Sequence, residues 1–73
     1  MTTVQKTVNM TDQYAGMYYA DTDTIGHRPI SIISILQPSN AQVYTIYVSA
    51  LDKVRAYCSV SGNTTLLITY YNS

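Results

Sequence analysis

The sequence predicts a small, mainly β fold: an antiparallel sandwich or partly open barrel of about five strands. Three observations carry that expectation. Ten threonines, seven serines and eight tyrosines accompany abundant Ile and Val, while Glu is absent and Lys is scarce. β-branched and aromatic side chains pack well on a pleated surface, and the missing residues are good helix formers. Several short segments alternate apolar and polar residues with a period of two, and the stretches between them hold Gly, Pro, Asn and Asp, which punctuate strands with turns. The 73 residues form a single β-rich domain, with 11–29 as a long irregular loop region.

Taken in order, "TTVQKTVNM" (2–10) puts Val4, Val8 and Met10 on one face and Thr3, Gln5, Thr7 and Asn9 on the other. Lys6 interrupts the apolar face, as suits an edge strand. "TDQYAGMYYADTDTIGHRP" (11–29) reads as irregular, with Gly16, Gly26 and Pro29 as punctuation and a short strand possible at 18–20. "RPISIISILQPSN" (28–40) carries five Ile/Leu residues in seven positions between two prolines. As a strand it is apolar on both faces: Ile30, Ile32 and Leu36 on one, Ile33 and Ile35 on the other. The first face can pack on a neighbouring sheet. The second needs cover from the N-terminal segment or another molecule, unless a bulge near Ile32–Ile33 switches the inward phase.

"QPSNAQ" (37–42) is a tight loop with Pro38 and Asn40 as turn formers. "QVYTIYVSA" (42–50) places Tyr44, Ile46 and Val48 opposite Val43, Thr45 and Tyr47. "KVRAYCSVS" (53–61) sets Val54, Ala56, Cys58 and Val60 inward and Lys53, Arg55, Tyr57 and Ser59 outward. "SGNT" (61–64) carries a Gly-Asn centre, a strong hairpin signal, and "TTLLITYY" (64–71) is the final strand. These four strands are expected to run as a meander. Around 50–59 a helix is the alternative, with Ser49 as N-cap, Asp52 at N3, and Leu51, Val54 and Cys58 sharing a face. That version gives a β-β-α-β order.

Charge excludes several function classes. Lys6, Arg28, Lys53 and Arg55 balance Asp12, Asp21, Asp23 and Asp52, for a net charge of zero. Four scattered cations make neither a phosphate-binding stripe nor a polybasic anchor, so no nucleic acid and no membrane is expected as partner. No apolar run approaches the roughly 20 residues of a transmembrane helix, and "MTTVQKTVNM" has no signal-peptide organisation. Cys58 is the single cysteine. It excludes an intrachain disulfide and a Cys-rich zinc site, and its place on an inward face makes it a small buried hydrophobe.

No cofactor, metal or catalytic residue is predicted. "ADTDTIGH" starts like a calcium loop at Asp21 and Asp23, yet its third acidic position is Thr and no bidentate Glu follows. Its aspartates are expected to cap backbone N–H groups. His27 has no activated Ser or Cys beside it in the sequence. "NMT" and "NTT" match the glycosylation pattern only as a Thr-rich chain does by chance.

The tyrosines are the entire aromatic set, without Phe or Trp. A buried Tyr hydroxyl demands a partner, so such a set suits surfaces dry at one end and wet at the other, as at protein interfaces. The composition is similar to that of small viral structural subunits: short, β-rich, hydroxyl- and Tyr-rich and low in charge. That resemblance implies a non-enzymatic assembly subunit such as a capsid decoration or minor capsid protein. It would reside in the virion, or in the host cytoplasm during assembly, bound to itself as a homo-oligomer and/or to a larger structural protein. Expected interface residues are Ile33, Ile35, Tyr18, Tyr19, Tyr47, Tyr57, Tyr70 and Tyr71. The alternative is a small binding module, a carbohydrate binder or an inhibitor of a host protein, using outward tyrosines and the 21–27 loop.

Overall fold

A computed structural model describes residues 1–71. Seven strands follow one another: β1 (Thr2–Met10), β2 (Asp12–Tyr14), β3 (Met17–Asp21), β4 (Pro29–Leu36), β5 (Tyr44–Val48), β6 (Lys53–Cys58) and β7 (Gly62–Tyr70). They form two antiparallel sheets packed face to face, one of order β1-β7-β4 and one of order β2-β3-β6-β5. The fold is therefore a small sandwich. Counted from β2, with β1 taken last, the sheets read 1-2-5-4 and 7-6-3. That is the strand order of a constant-type immunoglobulin sandwich, circularly permuted.

The core lies between β6 and β7. Val54, Ala56 and Cys58 point inward from β6, as their alternation predicts, and meet Leu66 and Ile68 of β7; all five are fully buried. Small side chains on one sheet against large ones on the other let the layers interlock within a thin molecule. Met10 is fully buried at the corner where the chain leaves the first sheet and, after Thr11 alone, enters the second. Val4, Val8, Tyr18, Ala20, Ile32, Val43 and Tyr47 pack around this centre.

Three expectations need correction. The 11–29 region is not a long irregular loop, because it contains β2 and β3. They join through Ala15 and Gly16, both with positive φ (53° and 82°), the backbone of a type I′ hairpin whose twist matches that of its strands. Alanine is an uncommon residue there, which hid the turn. The strand expected over 53–61 does form, as β6, after a turn that Asp52 (φ 54°) closes, and the helical alternative around 50–59 does not.

The other two corrections concern pairing. "SGNT" is not a hairpin, since β6 and β7 lie in different sheets. Gly62 serves a different need: a Cβ there would sit 2.8 Å from the Cβ of Pro38. The glycine lets the chain pass beneath the tight turn at Pro38–Asn40. Nor do the last four strands run as a meander, because β7 inserts between β1 and β4 and pairs with both.

Candidate functional site

β4 pairs with β7 on one side, and among the described residues nothing pairs with its other side. Its register with β7 slips between Pro29 and Ser31 and again between Ser34 and Leu36. Each slip is a bulge placing two β4 residues against one of β7. Neither bulge falls at Ile32–Ile33. The stretch between them is regular, with Ile32 and Ser34 inward, and the bulges turn Ile30 and Leu36 outward beside Ile33 and Ile35. These four side chains are 49–54% exposed. Ile30 and Leu36 thus do not pack on the other sheet, and the N-terminal strand cannot cover Ile33 and Ile35 because it belongs to the same sheet.

A hydroxyl network fixes the second bulge. The Thr64 hydroxyl donates to the Leu36 carbonyl at 2.7 Å and meets the Ser34 hydroxyl at 2.9 Å. The Gln37 side-chain amide donates to the Ser34 carbonyl at 2.8 Å. The carbonyl that the bulge removes from the ladder is thereby satisfied, as a carbonyl beside the core must be. The outward turn of Leu36 is built in.

β1, the opposite edge, does use the device read from its sequence. Lys6 points inward and its ammonium meets the Asp23 carboxylate at 2.7 Å, holding that carboxyl below the ordinary carboxylate range. A cleft of about 360 Å³ lies between Lys6–Asn9 and Ala20–Asp23, and the pair stands in its lining.

On the outer face of the larger sheet the register aligns Tyr19, Tyr57 and Tyr44 in one row and Asp21, Arg55 and Ile46 in the next. Arg55 Nε and Nη2 donate to the two Asp21 oxygens at 2.6 and 2.9 Å. This bidentate bond lowers the Asp21 pKa and raises that of Arg55. The guanidinium carbon lies 4.9 Å from the Tyr19 ring centroid, and the Tyr19 and Tyr57 rings are 6.2 Å apart. With Tyr14 these residues line a shallow cleft of about 280 Å³.

The expected interface tyrosines therefore divide. Tyr19 and Tyr57 face outward and sit together. Tyr18 turns instead to the core, because the one-residue alternation of β3 puts it opposite Cys58. Tyr47 also packs on the core and donates its hydroxyl to Asp52 at 2.6 Å. Tyr70 stacks on His27, with centroids 4.3 Å apart, and Tyr71 is exposed just beyond β7.

The 21–27 loop is tied down by other contacts than those expected. Asp21 and Asp23 bind cationic side chains rather than cap backbone. Asp52 anchors the loop instead, accepting from the Gly26 N–H at 2.6 Å while its own carbonyl accepts from the Ile25 N–H at 2.9 Å. The Tyr47 and Gly26 donors hold the Asp52 carboxyl below its usual range.

Ile30, Leu36, Tyr14 and Arg55 were not among the interface residues expected from the sequence. For Arg55 a signal was present, since it alternates outward two residues from Tyr57. For Ile30 and Leu36 there was none, because bulges leave no mark in a period-two pattern. Among the described residues no three His, Cys, Asp or Glu side chains are grouped to hold a metal ion, and no helix is long and apolar enough to cross a membrane. Comparison with known proteins gives no match to any family model, any curated protein or any solved structure.

Proposed function

We propose that this chain is a non-enzymatic assembly subunit that works through protein–protein contact at the β4 edge. One observation carries the reading: β4 presents Ile30, Ile33, Ile35 and Leu36, each about half exposed, along an edge whose eight residues include no charge. Edge strands are usually blunted by charge or cover, and contiguous apolar surface of this kind marks interaction sites. The partner is a second copy of the chain or a larger structural protein. Low charge, hydroxyl richness and small size fit a virion component, such as a capsid decoration or minor capsid protein, which joins its lattice in the host cytoplasm or in the virion. Ser31–Ser34 between the bulges is the only regular stretch of β4, so side-chain packing carries more of the contact than backbone pairing.

Sedimentation of the purified chain over a concentration series tests this reading. The wild type is expected to sediment with a mass that rises above 8.1 kDa. The double variant Ile33→Lys, Ile35→Lys should remain monomeric with an unchanged circular dichroism spectrum, since both side chains point to solvent. A wild type that stays monomeric at high concentration and gains no partner overturns the proposal.

A further inference from the structure

We infer that the outer face of the four-stranded sheet holds a subsite for a neutral sugar, built by Tyr14, Tyr19, Tyr57 and the Arg55–Asp21 pair. This goes beyond the assembly reading and rests on a different sheet, so either can fail without the other.

The first ground is preorganisation. Tyr19, Arg55 and Tyr57 are half-buried on neighbouring, hydrogen-bonded strands. The guanidinium is fixed from two directions, by the bidentate carboxylate at 2.6 and 2.9 Å and by the Tyr19 ring at 4.9 Å. Groups already held in place lose little freedom when a ligand arrives. Tyr14 adds a wall: it is 72% exposed and is carried over the cleft by the β2–β3 hairpin. That hairpin holds Ala15 at φ 53°, a backbone region unfavourable to a residue with a side chain.

The second ground is chemical matching. Arg55 and Asp21 cancel each other's charge, so an anion must compete with a closed ion pair and a cation meets the guanidinium. A neutral ligand meets neither obstacle. The pair uses two of the five guanidinium N–H groups, leaving donors on the Arg55 that lines the cleft, while Asp21, bonded to Arg55 just outside that lining, keeps carboxylate lone pairs at its edge. A ligand that uses both must offer donors and acceptors side by side, and one that uses the rings must also have an apolar face. A pyranose has both, with C–H groups across its face and hydroxyls around its rim. A proline-rich peptide offers the apolar face and carbonyl acceptors, but its prolines have no N–H for Asp21.

The test is a two-dimensional NMR titration of the full 73-residue chain with maltotriose, cellotriose, triacetylchitotriose and mannotriose. Trigalacturonic acid serves as the anionic comparison and a decaproline peptide as the apolar one. At least one neutral trisaccharide should shift the amides of Tyr14, Tyr19, Arg55 and Tyr57 and the Arg55 Nε–H, and bind more tightly than either comparison. Tyr14→Ala, at an exposed position, should weaken that binding about tenfold, the upper range for one lost aromatic stacking contact, while leaving the remaining spectrum in place. The Ile33→Lys, Ile35→Lys variant should bind unchanged. The inference is overturned if no neutral trisaccharide shifts these signals, if the peptide or the acidic sugar binds more tightly, or if the shifts persist undiminished in Tyr14→Ala.

Discussion

β1 and β4 are the two outer strands of one sheet and pair with the same central strand, yet they treat the free edge differently. β1 keeps one unbroken register from Thr2–Tyr70 to Met10–Gly62. It sets threonines outward, where Thr3 and Thr7 meet Thr69 and Thr65 at 2.9 and 3.0 Å, and turns Lys6 inward onto Asp23. β4 slips register twice and presents Ile and Leu to solvent. One edge is defended by charge and hydroxyls, the other only by irregular geometry. The ladder hydrogen bonds are common to both, so the side chains and bulges decide which edge is closed to a partner.

Removing what the two edges share should have the largest effect. Leu66 is fully buried and stands opposite both Lys6 and Ser34, so Leu66→Ala should cost about 2–5 kcal/mol. Denaturant unfolding measures the loss, and amide exchange should accelerate in β1 and β4 together. A smaller and one-sided effect is expected from Gly62→Ala. Its Cβ would meet Pro38 at 2.8 Å on a backbone with φ 143°, costing about 2 kcal/mol. Because Pro38 lies in the turn after β4, exchange should quicken there more than in the N-terminal half of β1.

Thr64→Val preserves shape while removing the hydroxyl that satisfies the Leu36 carbonyl. We expect a loss of about 1–2 kcal/mol with faster exchange in residues 34–37, while the Lys6–Asp23 contact stays intact. If β1 loosens equally, the two edges are less independent than their bonding suggests.

Acid should produce the smallest effect. Asp21, Asp23 and Asp52 all have pKa values lowered below the ordinary 3.8. A carboxylate depressed in the folded state adds stability that is complete above its unfolded pKa and is lost as pH falls through the folded value. Denaturant midpoints should therefore be flat from pH 7 to about 5 and decline below pH 4. Because these carboxylates lie at or near the surface, solvent screening keeps each contribution small. Lys6→Met should flatten part of that acid decline, whereas Ile33→Lys should leave it unchanged, because only β1 uses a carboxylate.

Much of the architecture was legible in the residues. Strict alternation in 53–60 identified the inward Val54, Ala56 and Cys58, and Lys6 within an apolar face marked an edge strand. The candidate surfaces were legible in part. Ile33 and Ile35 were readable as an outward pair and Tyr19 and Tyr57 as surface tyrosines, but Tyr18 and Tyr47 turned inward because adjacent strand residues take opposite faces and only packing chooses between them. The hairpin at Ala15–Gly16 was hidden by an alanine where a glycine or asparagine would have announced it.

By itself the sequence determined that this chain is β-structured, which face of β6 is buried, that its thiol is inaccessible and that one edge is guarded by charge. Those properties follow from side-chain type and period, which act locally. Only the tertiary structure decided that β7 separates β1 from β4, that Gly62 makes room for Pro38, and that two bulges carry Ile30 and Leu36 to the surface. Apart from proline, every residue carries the same backbone hydrogen-bonding groups, so a period-two pattern specifies a face but not a neighbour. The neighbour is chosen by fitting both sheets over one core.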